Sequence, residues 1–144
     1  VYRRTPSGGL APAGTYPTGG LGGAIDGAVV DRLASEGAVT YDGHTHRLYA
    51  VNAGSDTLTV FRADGERLTD RQVVGTGGSF PVSVSVHGSF VYVLNAHDGG
   101  SVQGFRWERG TLHRVADWRV GLDLDDTGLP EFTHTPGHLK VSPD

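Results

Sequence analysis

The chain has 144 residues, the usual length of one domain with a modest core. Apolar residues make up 37% and charged residues 19%, which excludes an intrinsically disordered chain, and no run approaches the ~18 apolar residues of a membrane-spanning helix. A net charge of −4 with no basic run beyond Arg3-Arg4 argues against nucleic acid as a partner, and the absence of cysteine excludes disulfides, thiolate nucleophiles and Cys-bound zinc.

Glycine is the compositional outlier, at 23 residues, and it mostly separates short Val/Leu/Tyr/Phe runs. That pattern predicts many tight turns between short strands. No charged-then-apolar leader opens the chain, and no Met occurs even at position 1, as expected of a processed protein or a fragment.

In chain order, Val1-Tyr2-Arg3 and the stretch from Leu10 to the Thr18-Gly19-Gly20 turn read as two strands. A long connector follows at about 19–37, with room for one short helical turn at 24–35. Four strands are then predicted near 38–41, 47–53, 57–62 and 68–74. Tyr41-Asp42-Gly43, Gly54-Ser55-Asp56 and Asp64-Gly65-Glu66 supply their turns. After the minimal connector Gly77-Gly78-Ser79-Phe80-Pro81, four more strands are predicted near 82–87, 90–96, 101–107 and 111–118, with His97-Asp98-Gly99-Gly100 as a turn. A second long connector occupies about 121–137, and Val141-Ser142-Pro143-Asp144 resembles the start of the earlier set, Val39-Thr40-Tyr41-Asp42.

These sets are copies of one another. Leu48-Tyr49-Ala50-Val51-Asn52-Ala53 matches Val91-Tyr92-Val93-Leu94-Asn95-Ala96, with Asn52 and Asn95 lying 43 positions apart. Val60-Phe61-Arg62 matches Gly104-Phe105-Arg106 and, upstream, Val1-Tyr2-Arg3. Thr18-Gly19-Gly20 matches Thr76-Gly77-Gly78 at a spacing of 58. Four short strands per repeat of about 40–50 residues predict an all-β chain, a β-propeller of four-stranded antiparallel blades. The ring is incomplete: the outer strands of a first blade at 1–20, a second blade at 38–76, a third at 82–120, and the inner strand of a fourth at 138–144. Blade faces left apolar at both ends call for cover, either from the remaining blades of a parent chain or from self-association.

Leu48–Phe61 (LYAVNAGSDTLTVF), Phe90–Phe105 (FVYVLNAHDGGSVQGF) and Pro136–Asp144 (PGHLKVSPD) carry a resemblance to a known family. They resemble the seven-bladed lactonase-like propellers, the group that includes 6-phosphogluconolactonase and the carboxymuconate lactonizing enzymes. The resemblance covers essentially the whole chain, although Tyr-x-x-Asn strands followed by Ser/Thr-x-x-Val-Phe strands occur in other propellers. It implies a small-molecule lactone or sugar-acid substrate, no cofactor, and a secreted bacterial protein of actinobacterial type.

In a propeller, ligands bind over the central channel, on the face of the connectors between blades. The long connectors at 19–37 and 121–137 emerge on that face, where they either wall a pocket or merely cover the channel mouth. His138 stands where the resemblance places a channel-facing histidine, suited to act as general acid or base on a lactone. Glu131 and His134 share its connector as further catalytic candidates. Asp26, Asp31 and Arg32 on the other connector are candidate substrate-binding residues, with Glu36 beside them. For each, packing or plain surface exposure is the competing reading, and the family's arginine and glutamate partners match no residue of this chain.

Metal and nucleophile motifs point nowhere. His44-Thr45-His46 lacks a third ligand for zinc, and Asp123–Gly128 has the wrong spacing for a calcium loop, with His134 where a bidentate Glu would fall. No nucleophile elbow, zincin motif, dinucleotide fingerprint or P-loop is present. Tyr49, Tyr92, Phe61, Phe105, Trp107 and Trp118 read as packing between blades. Two functions stay open: a lactone hydrolase or lactonizing enzyme, or a non-catalytic propeller used as a binding or scaffolding module.

Overall fold

The computed structural model describes residues 1–24, 35–125 and 135–142. The first two strands, β1 (Tyr2–Arg4) and β2 (Leu10–Pro12), pair as an antiparallel hairpin. A four-stranded meander follows: β3 (Val39–Asp42), β4 (Arg47–Asn52), β5 (Thr57–Asp64) and β6 (Arg67–Gly75), hydrogen-bonded in chain order. The second meander repeats it with β7 (Pro81–His87), β8 (Phe90–Asn95), β9 (Ser101–Glu108) and β10 (Thr111–Gly121). Every pairing is antiparallel. These sheets are successive blades of a β-propeller whose ring is incomplete in this chain.

Alternation along the strands decides which side each blade buries. On β7, Val84 and Val86 point toward the preceding blade and join Tyr49, Leu58 and Val60 in one cluster with Val91, Val93, Phe105 and Leu112. Ser83 and Ser85 point the other way, and their hydroxyl oxygens accept the backbone N–H groups of Leu139 (3.1 Å) and Val141 (3.2 Å). The core therefore lies between blades, as the repeat predicts. Polar bonds tie the same interface: Gln72 donates to the carbonyl of Leu112 (2.7 Å) and accepts its N–H (3.0 Å).

The repeated asparagine acts at the blade seams. Asn52 donates to the hydroxyls of Thr57 and Thr59, at 3.0 and 2.8 Å, and Thr59 in turn donates to the carbonyl of Thr18. A Cβ on Gly20 would lie 2.5 Å from the Asn52 side chain, and one on Gly78 would lie 2.6 Å from that of Asn95. Only glycine lets the incoming connector pass so close, which explains the matched Gly-Gly pairs of the two copies.

Strand bounds differ from expectation in detail. The last strand of the third blade runs to Gly121 because it resumes pairing beyond an irregularity between Arg114 and Arg119. Of the stretch expected to be an inner strand, 138–144, the described part 138–142 forms no ladder; it is held by the side chains of β7 instead. The short helical turn expected at 24–35 lies outside the described residues, except for its ends.

Candidate functional site at the channel mouth

The meander topology fixes which loops share a face. Connectors between blades and the β4–β5 and β8–β9 turns emerge together at one end of the strands. Turns β3–β4, β5–β6, β7–β8 and β9–β10 emerge at the other. At the first end, β3, β7 and the 138–141 stretch lie side by side, with the Thr40 hydroxyl donating to the carbonyl of Val84 (3.0 Å).

The two long connectors meet there. Glu36 donates its backbone N–H to the carbonyl of Gly137 (2.8 Å), which joins the strand-proximal ends of connectors 19–37 and 121–137. Ser35 donates its hydroxyl to Val82 (2.7 Å), and Gly37 accepts the N–H of Val84 (3.1 Å). Gly37 has a φ of +79°, and a Cβ there would sit 2.9 Å from Ser83 Oγ. The crossing over β7 thus needs glycine on both conformational and steric grounds.

This arrangement brings His138 and Glu36 together. His138 Nδ1 lies 3.9 Å from Glu36 Oε2, and the two side chains are 51% and 81% exposed. That distance is an ion-pair spacing and too long for a direct hydrogen bond. Both groups are open to solvent, and hence to a solute entering the mouth.

An apolar floor lies next to them. Phe80, Val82, Leu94 and Ala96 form a second cluster, to which Leu122 and Leu139 contribute. The ring of His97 stacks on Phe80 with centroids 4.4 Å apart. Phe80 has a φ of +56°, a left-handed conformation that a bulky residue rarely adopts. Its N–H is held by Asp56 Oδ1 (2.7 Å) and its carbonyl by Ala96 N–H (2.9 Å). Among the described residues, His97 Nε2 and Asn95 Oδ1 are buried without a hydrogen-bond partner. A shallow, solvent-open cavity of about 140 Å³ lies at this end between Gly22, Ser35, Val51 and Pro81, too small for a sugar-sized ligand.

Of the residues singled out from sequence, His138 stands at the mouth. Glu131, His134, Asp26, Asp31 and Arg32 lie outside the described residues. From sequence Glu36 reads as a surface charge, and its place opposite His138 has no sequence signal because 102 positions separate them. From sequence His97 and Phe80 read as turn and connector residues. His44 and His46 belong to the opposite end, where Tyr41 Oη lies 3.0 Å from His46 Nδ1. No group of three metal-ligating side chains occurs among the described residues. Trp107 packs between blades as expected, while Trp118 meets Phe90 edge-on at 5.6 Å.

No family model matches the chain, and no curated protein does. Among solved structures, the fold is shared with a proposed 6-phosphogluconolactonase of Bacteroides uniformis ATCC 8492, at a TM-score of 0.59 and 18% identity over 87% of this chain. The chain spans 36% of the length of that protein. At this identity the likeness shows the fold alone.

Proposed function

We propose that the chain forms part of a seven-bladed lactonase-like propeller, secreted by a bacterium, that opens or closes a lactone ring at the channel mouth. The observation that carries this reading is the approach of His138 to Glu36 where the two long connectors meet. A neutral imidazole there takes a proton from water as the water oxygen attacks the lactone carbonyl. The ring C–O bond then breaks, and the imidazolium returns the proton to the departing alkoxide. Glu36, whose carboxylate lies 3.9 Å from the ring, acts on His138 rather than on the substrate, so it is a positioning residue. Glu131 and His134 remain further catalytic candidates on the same connector, and Asp26, Asp31 and Arg32 substrate-binding candidates on the other. Further blades, or a second copy of the chain, complete the wall and cover the exposed apolar edges.

A second reading, a non-catalytic binding or scaffolding propeller, is favoured by the 3.9 Å gap and the exposure of both groups. Hydrolysis of a lactone panel by the protein, its His138→Ala variant and its Glu36→Gln variant separates the two. Loss of about a hundredfold or more in kcat/KM for His138→Ala is expected of a general base. Equal rates would remove His138 from the mechanism, and no turnover of any lactone leaves the binding module as the reading.

A further inference from the structure

The face opposite the channel mouth holds a second cavity. It has a volume of about 430 Å³ and lies in the cleft between the two blades, bounded by the β3–β4 and β9–β10 turns. Its lining includes His46, Arg47, Arg62, Asp70, Gln72 and Trp107, over an apolar base of Val60 and Phe61. This volume is in the range of small-molecule sites. None of its residues belongs to the channel mouth.

The charges in this cleft are unusual. Arg47 and Arg62 are direct cross-strand partners on β4 and β5, so their side chains leave the same face of the sheet about 5 Å apart at Cβ. Like charges placed so are destabilising unless something neutralises them. Among the described residues the ion pairs are Arg3–Glu66, Arg106–Glu108 and His138–Glu36, none of which involves this arginine pair. Asp42 opposes Arg47 from the other side, but its oxygens bind the Thr45 hydroxyl and the His44 N–H, and it does not line the cavity. Asp70 does line it, from the irregular stretch of β6 where the register shifts.

Neither carboxylate forms an ion pair with the arginines among the described residues, and the cations are held in place by other groups. The guanidinium of Arg47 lies 3.9 Å from the centre of the Trp107 ring, a cation–π contact across the blade boundary. The indole is itself fixed, because its N–H donates to Tyr49 Oη (2.9 Å). Gln72 is committed to Leu112. The cleft therefore offers two guanidiniums with free donors, one aromatic wall, and an apolar base.

We propose that this inter-blade cleft binds a small oxyanion, a carboxylate or a phosphate, clamped between Arg47 and Arg62 beside Trp107. Guanidinium forks pair with such groups through two parallel N–H···O bonds, and the anion relieves the repulsion between the facing cations. Asp70 opposes the anion and limits its affinity.

Trp107 reports on the cleft directly. In a Trp118→Phe background, titration with inorganic phosphate and, separately, with benzoate is followed by indole fluorescence. Saturable quenching by either is expected, and which of the two binds tells phosphate from carboxylate. Arg62→Gln should weaken binding about tenfold or more, Arg62→Lys less, and Asp70→Asn should tighten it several-fold. His138→Ala at the far face should change nothing. Arg62 and Asp70 are both exposed, so these variants keep the fold. Absence of saturation with both anions, or binding indifferent to Arg62→Gln, would overturn the proposal.

Discussion

Trp107 of the third blade donates its indole N–H to the phenol oxygen of Tyr49 in the second, at 2.9 Å. Tyr49 is fully buried in the core between the blades, and burial pushes its phenol above the ordinary tyrosine range despite the Trp107 bond. The phenol stays neutral, and its bond to Trp107 joins the Gln72–Leu112 pair in tying the two sheets across an apolar core. Tyr49→Phe keeps the ring but leaves the indole N–H without its acceptor. A loss of about 1 kcal/mol in urea denaturation is expected, whereas Tyr49→Ala should cost about 3–5 kcal/mol through the cavity it opens.

Gly37 sets the path by which Glu36 reaches His138. Its positive φ and the 2.9 Å approach of Ser83 Oγ leave no room for a methyl group. Gly37→Ala is expected to destabilise by about 1–3 kcal/mol in thermal or urea denaturation. Whatever activity or binding His138 supports should fall with it. A substitution tolerated on both counts would show that the connector crosses β7 by another route.

Phe80 holds its left-handed backbone through Asp56. Asp56→Ala removes the acceptor of the Phe80 N–H and should cost about 1–3 kcal/mol. Accelerated hydrogen exchange should appear at Phe80 and along the 77–80 connector first, with the strands of the second blade little affected. Uniform exchange across both blades would contradict a local role for this carboxylate.

Asp42 gives the fold an acid-sensitive turn. Burial acts to raise its carboxyl, but the Thr45 hydroxyl, the His44 and Thr45 backbone N–H groups and the nearby His44 outweigh it and hold it below the usual aspartate value of 3.8. A carboxyl lowered in the folded state stabilises fully above its unfolded value and loses that contribution as pH falls through the lower folded value. Asp42→Asn should therefore be the less stable protein near neutrality, with the gap narrowing below about pH 4. Denaturation midpoints of both proteins across that range check this; a gap independent of pH would contradict it.

The sequence by itself determined the propeller, because its information is periodic and local. Strands alternate, turns carry Asp-Gly and Gly-Gly pairs, and the spacing of Asn52 and Asn95 repeats, all within reach of a few residues or one blade. The same repeat implied that the apolar sides of β4, β5, β8 and β9 would face each other, as Tyr49, Leu58, Val93 and Phe105 do. It read 138–144 as an inner strand, whereas 138–142 forms no ladder and is held by Ser83 and Ser85 of β7. It could not pair His138 with Glu36 or Arg47 with Trp107. Those neighbours come from different blades, and their meeting depends on how far one sheet is rotated and how a glycine turns the chain over β7. Nor could it show that Arg47 and Arg62 face the same cleft, since that requires the register of β4 against β5. Tertiary structure decided these because side-chain proximity across blades is a property of packing geometry, which no local pattern encodes.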